Sequence, residues 1–307
     1  MDSSLIVNRG FSSLKSLFDS DGITMEHSVS YQEYNYPVAI EFLNSARKFS
    51  VDGNFNCQVL KKATVDFIRY FSRSNGEFFP LGDSFREGNK GIRKIFLSDS
   101  DLSPVINSLA PDSQSLFCKN GFFSYVRNLS NLKIHFVSVC SWNSYHHKQD
   151  DELSFCFEID GNLVFDDPGY SDMVPKNDLD MLRSADYHST VAVIGKEFSK
   201  RNSAPKNSSF TYWKECPSGF HLQGQHSRIE NVLVTRIYEM VGKRLSIIDS
   251  IESPIDLSTK HGFVLGQGVD VEIKGRQVFL SKNGADLGVL SAEEEGYWFI
   301  SQIVSID

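Results

Sequence analysis

The sequence predicts a multidomain α+β protein, with a helical segment over residues 1–105 followed by a large antiparallel β-sandwich over residues 106–307. Three observations carry this. Before residue 71 the apolar positions recur at three- and four-residue steps, the period of amphipathic helices. Beyond Ser115 they form short alternating runs separated by Gly-Lys, Lys-Gly and Asn-Gly turns, as in a sandwich. At 307 residues the chain also exceeds the usual single domain and has ample length for a core.

In chain order, Leu5, Val7, Phe11, Leu14 and Leu17-Phe18 mark a first helix, and Val38, Phe42-Leu43 and Ala46 a second. A third follows in Val59-Leu60, Ala63, Phe67-Ile68 and Phe71, after a break at Asp52-Gly53-Asn54. Strands are expected at 122–126 and 134–139. A hairpin follows in which Leu153, Phe155, Phe157 and Ile159 alternate with polar residues. Leu163 and Phe165 rejoin that apolar face if the loop is the three residues 160–162, since a two-residue loop would place them on the other side. Pro168-Gly169 ends the returning strand. Further strands are expected at 190–194, 232–240, 245–251, 262–264, 269–273, 278–280 and 297–303, with a Lys/Ser/Asn-rich surface loop at 196–209.

Composition sets bounds on function. Hydrophobic residues at 40% and charged residues at 23% describe a soluble globular chain, and the net charge of −8 argues against a nucleic-acid partner. A cleft can still be locally basic, because net charge governs long-range steering and not the field inside a site. No run of 18 apolar residues exists, so no membrane span is expected. The first residues lack a basic stretch followed by an apolar one, which predicts a cytoplasmic protein, or a periplasmic one if Met1 is not the native start. Five scattered cysteines read as buried or free thiols in a reducing compartment.

Three stretches carry polar residues where a strand pattern does not ask for them: HHKQDDELSF (146–155), FDDPGY (165–170) and RSADYHSTVAV (183–193). In this order they resemble the heparinase II/III family of polysaccharide lyases, which reads H-x-H-x-D-x-x-S-F, then D-x-G, then R-x-T-x-A-H-N-T-V. DGITMEHSVSYQEY (21–34) resembles the family's D-G-x-x-x-E-x-S-x-x-Y-H-x-Y, and FFPLGDSFREG (78–88) its P-x-x-G-D-S element. Residues 221–253 resemble its H-x-R and D-x-I strands. The resemblance implies that 1–105 is the end of an α/α toroid, that 106–307 is the family's sandwich, and that the substrate is an acidic, uronate-containing polysaccharide cleaved by β-elimination. A non-catalytic glycan-binding protein of a surface-polysaccharide system is the alternative, because three helices do not close a toroid. The family's carboxylate-neutralising asparagine or histidine comes from an earlier helix, and Asn8 has no matching context.

The residues themselves leave two readings at each position. Tyr31 and Tyr34, three apart at a helix start, share a face as core-edge tyrosines; the resemblance makes Tyr31 the catalytic residue and Tyr34 a cleft contact. A phenol with a pKa of about 10 needs a nearby cation or hydrogen-bond donor to act as a base, and His147, matching the first histidine of the motif, is expected there. Arg183 matches a substrate-binding arginine, whose planar fork suits a carboxylate; Arg228 is a further substrate candidate or a strand-end charge. Asp150, Asp151 and Glu152 read as a solvated acidic loop. The resemblance also implies a zinc site, of which Asp167 and His188 are retained while Gln149 replaces a histidine ligand. An amide oxygen is a poor zinc ligand, so well under one equivalent of zinc is expected. Finally, Phe11, Leu14, Phe42 and Phe67 are too many to bury among three helices alone. The expectation is a homo-oligomer, or a partner carrying the missing helices.

Overall fold

The computed structural model describes residues 3–48, 56–85, 113–129, 132–144, 146–171, 175–200 and 207–292. The break at 52–54, the strand at 297–303 and the domain boundary at 105 lie outside them. Three helices, α1 (Ser3–Leu17), α2 (Val29–Lys48) and α3 (Cys57–Phe71), precede the strands. Asn56 starts α3 by accepting the N–H groups of Gln58 and Val59 at 3.0 and 3.3 Å, which satisfies donors with no partner inside the helix.

Five strands then form an antiparallel meander: β1 (Ser113–Cys118), β2 (Phe122–Leu129), β3 (Leu132–Val139), β4 (Ser154–Ile159) and β5 (Asn162–Phe165). After β5 come β6 (Val191–Val193), β7 (Ser208–Cys216), β8 (Gly219–His226), β9 (Leu233–Val241) and β10 (Arg244–Glu252). The last four make a second sheet in the order β10-β9-β8-β7. β11 (Thr259–His261) pairs with β6, and β12 (Asp270–Lys274), β13 (Gln277–Lys282) and β14 (Ala285–Ser291) close the described chain. The strand expected at 262–264 is three residues late, since β11 ends at His261. Gly262 instead approaches the His188 carbonyl so closely that a Cβ would stand 2.4 Å from it.

The β1–β5 sheet is covered on both faces. Phe122, Val137, Val139, Cys156 and Leu163 join the helical core, with Leu60, Phe67 and Phe71. Phe123, Phe136, Phe155, Phe157 and Phe165 face the second sheet and meet Phe220, Leu222 and Tyr238. The alternation therefore separates two cores. The polar positions on the helical side are used: Ser124 Oγ and His135 Nε2 donate to the Tyr70 carbonyl at the end of α3, at 2.6 and 2.7 Å, and Glu158 accepts from Arg73 and Ser74. Phe11, Leu14 and Phe67 are buried and Phe42 is packed edge-on against Phe11 at 5.2 Å. These four residues are thus packed within the helical core, which α3 joins to the sheet, so the exposed apolar surface expected of them is absent.

The hairpin loop is two residues, Asp160-Gly161, both at positive φ, with Ile159 opposite Asn162. Leu163 accordingly turns to the helical core. A bulge next to Phe157 then returns Phe165 to the Phe157 face. The expected three-residue loop is corrected by one bulge that sequence periodicity does not mark.

Candidate active site

The site forms where the start of α2, the segment 80–85 and the loop 146–152 meet. Gly82, Asp83 and Ser84 each have a distinct task. Gly82, at φ +64, lies so close to the His27 carbonyl that a Cβ would stand 2.0 Å from it, and Asp83 N–H donates to the same carbonyl at 3.2 Å. Ser84 Oγ accepts from the Val29 and Ser30 N–H groups at 2.7 and 3.4 Å, so a residue more than fifty positions away caps the helix that carries Tyr31. Asp83, 2% exposed, is left with its carboxylate aimed between the three other motifs.

That carboxylate is the hub. Oδ2 accepts from His147 Nδ1 at 2.8 Å and from Arg183 Nη2 at 3.3 Å; Oδ1 accepts from Gln149 Nε2 at 3.0 Å and from Arg183 Nε and Nη2 at 3.2 and 3.1 Å. Burial pushes the Asp83 carboxyl up, but the His147 bond, the Arg183 charge and the Gln149 bond outweigh it and hold it below the usual carboxylate range. His147 has φ 56, a left-handed backbone uncommon for a non-glycine residue. Its ring centroid is 4.0 Å from that of Tyr31, whose ring in turn meets Tyr34 at 6.0 Å. Tyr34 is 51% exposed at the mouth of the site. Glu26, held by Asn35 Nδ2 at 2.7 Å, places Oε1 3.8 Å from His147 Nε2. The structure thus brings together Tyr31, Tyr34, His147 and Arg183. Asp83 and Glu26 complete the group; the sequence signal for Asp83 is the Gly82-Asp83-Ser84 triplet, and that for Glu26 is its place in the stretch 21–34, ahead of α2.

Three expectations are corrected here. No cation favours a Tyr31 phenolate: burial first, then the charges of Asp83 and Glu26, push the phenol well above its ordinary value. Arg228 presents nothing to a substrate. Its Nη1 donates to Glu152 Oε1 and Oε2 at 2.8 and 2.9 Å, its Nη2 to Asp150 Oδ1 at 2.6 Å, and its guanidinium lies 4.4 Å over Trp142, fully buried. The acidic run is likewise no solvated loop. Asp151 and Glu152 are fully buried, with Lys148 Nζ at 2.5 and 3.0 Å, because Lys148 and Arg228 bring two cations inside to neutralise them.

The zinc ligands implied by resemblance fit a metal poorly. His188 Nδ1 and Asp167 Oδ2 are 2.9 Å apart, and Ser154 Oγ donates to the same oxygen at 2.9 Å. At the third corner Gln149 turns its amide nitrogen to Asp83 and to the Gly169 carbonyl. Its own oxygen has no partner, and neither has His188 Nε2. Among the described residues no three His, Cys, Asp or Glu side chains are grouped to hold a metal ion.

Residues 121–306 match the family described as Heparinase II/III-like, C-terminal. No curated protein sequence matches the chain. Among solved structures, the chain is similar to the heparan sulfate lyase HepC from Pedobacter heparinus, with TM-score 0.72 and 16% identity over 90% of this chain and 46% of that one. It is also similar to a heparinase III gene product with methylated lysines, with TM-score 0.71 and 18% identity over 89% and 44%. A further heparinase III gives TM-score 0.69 and 15% identity over 90% and 48%. The chain therefore spans less than half the length of these relatives. Among the described residues no helix is long and apolar enough to cross a membrane, and the five cysteines are free thiols.

Proposed function

Because this chain belongs to the Heparinase II/III-like family through its C-terminal domain, we propose that it cleaves an acidic, uronate-containing polysaccharide by β-elimination. The observation that carries the reading is the close, tilted contact of the Tyr31 and His147 rings, centroids 4.0 Å apart, beside the Arg183 fork. The reaction removes the C5 proton next to the uronate carboxylate, breaks the C4–O bond and leaves a C4–C5 double bond. Tyr31, held as a phenol, delivers a proton to the departing C4 oxygen. His147, with Nδ1–H on Asp83, offers Nε2 as the base for C5. Arg183, whose side chain is partly exposed, faces the carboxylate, and Tyr34 lines the approach. No step passes through a metal. The protein as purified is expected to hold well under one equivalent of zinc, and chelator should leave its melting temperature unchanged.

Incubation with heparan, alginate and bacterial capsular glycans should raise the ultraviolet absorbance of the unsaturated product, with a loss on the order of 10² to 10⁴ fold in Tyr31→Phe. A flat trace for the wild type across the panel overturns the reading. The two carboxylates beside Tyr31 favour a second one, a glycan-binding protein without turnover. Glycan-array binding that persists in Tyr31→Phe, with an inactive wild type, would support that one; no glycan binding would remove it.

A further inference from the structure

We propose that Asp83 is the positioning residue of this site: one carboxylate fixes the tautomer of His147 and the fork of Arg183, and Gln149 in turn fixes Asp83. The catalytic consequence rests on the lyase reading above; the tautomer does not.

An ionised carboxylate only accepts hydrogen bonds, so each of its partners must donate. His147 Nδ1, at 2.8 Å, therefore carries a proton, and in the neutral ring the lone pair falls to Nε2. Among the described residues no other group hydrogen-bonds Nε2, since Glu26 Oε1 stands at 3.8 Å, beyond hydrogen-bond reach. A carboxylate behind an imidazole that works from its other nitrogen follows the logic of the Ser-His-Asp triad. Asp83 is itself held. Its N–H is bonded to the His27 carbonyl, and the Cβ-free Gly82 lets the two chains approach. Gln149 completes the arrangement by spending one amide hydrogen on Asp83 Oδ1 and the other on the Gly169 carbonyl. A ring nitrogen at position 149 has one hydrogen to give at most, so the replacement that spoils a metal corner supplies a clamp on the carboxylate.

Asp83→Asn tests this directly. The oxygen of the new amide must face Gln149 and Arg183, both donors, so its NH₂ meets His147 Nδ1. That nitrogen then has to accept, and the proton moves to Nε2. In ¹⁵N–¹H correlation spectra of histidine-labelled protein, neutral His147 should be protonated at Nδ1 in the wild type and at Nε2 in Asp83→Asn. With an active glycan, kcat should fall on the order of 10³ to 10⁴ fold while KM changes far less. A wild-type His147 protonated at Nε2 overturns the proposal even if the variant does not fold. An unchanged tautomer in a folded variant overturns it too, as does a kcat within a few fold of wild type. If the wild type turns over no glycan, the lyase reading falls and the tautomer measurement still decides the role of Asp83.

Discussion

Arg228 shows what a single buried cation holds together. It binds the carboxylates of Asp150 and Glu152 and the carbonyls of Gln149 and Ser199, and its guanidinium lies 4.4 Å over the Trp142 ring and 5.3 Å over that of Phe198. Arg228→Ala leaves two carboxylates without that partner in a water-poor interior, and should destabilise the fold by about 3 to 5 kcal/mol in chemical denaturation. An exposed strand-end arginine would cost under about 0.5 kcal/mol. The distinction was not legible in the sequence, because a charge next to a strand pattern carries no sign of its depth. Asp83 was hidden for a related reason: a carboxylate's partners come from residues 64 to 100 positions away, and no local pattern records them. Tyr31, His147 and Arg183 could be named because each lies in a motif that resembles the family's, and the structure brings the three together around Asp83.

At the level of elements, the start of α2 depends on the segment that crosses it. Ser84→Ala removes the acceptor for Val29 and Ser30 N–H and should cost about 1 kcal/mol. Gly82→Ala, with a left-handed backbone and the His27 carbonyl in the way, should cost roughly 2 to 4 kcal/mol. Urea melts of the two variants check the order, and a Gly82→Ala milder than Ser84→Ala would contradict the close approach. Helices and strands were read well where periodicity is strong, as in α3 and β3. β7 escaped because the run Thr211 to Glu215 is exposed throughout, so it shows no alternation. The hairpin loop was misjudged because periodicity assumes an unbroken ladder.

Across the whole molecule, three histidines are buried in neutral form. His27 donates from Nδ1 to the His146 carbonyl and accepts Asn143 N–H at Nε2, leaving no place for a second proton. Burial and the Lys148 charge hold it down to about 4. Burial pulls His135 down to about 4, and burial with Arg228 pulls His226 down to about 3. Each stays neutral in the fold while its unfolded counterpart, near 6.5, takes up a proton. Stability is therefore full above pH 6.5 and falls as pH drops toward 4, by about 2 kcal/mol per histidine at pH 5. His188 opposes this: burial lowers it, but Asp167 outweighs burial and raises it, so its contribution is present below pH 6.5 and fades as pH rises. Three against one, the melting temperature should drop steeply between pH 6.5 and 5, and His27→Gln should flatten part of the slope.

The sheet between the helices and the second sheet has no face open to water. β3 is the middle of its five strands, bonded to β2 on one side and β4 on the other, and its residues 134–139 are buried without exception. Water reaches those backbone amides only when both covering layers leave. In hydrogen–deuterium exchange they should be the last to label, at a rate set by global unfolding, while β14, exposed at five of its seven residues, labels early through local opening. The molecule's slowest clock would then run in its most deeply covered strand, and it would speed up only in variants that lower the stability of the whole fold.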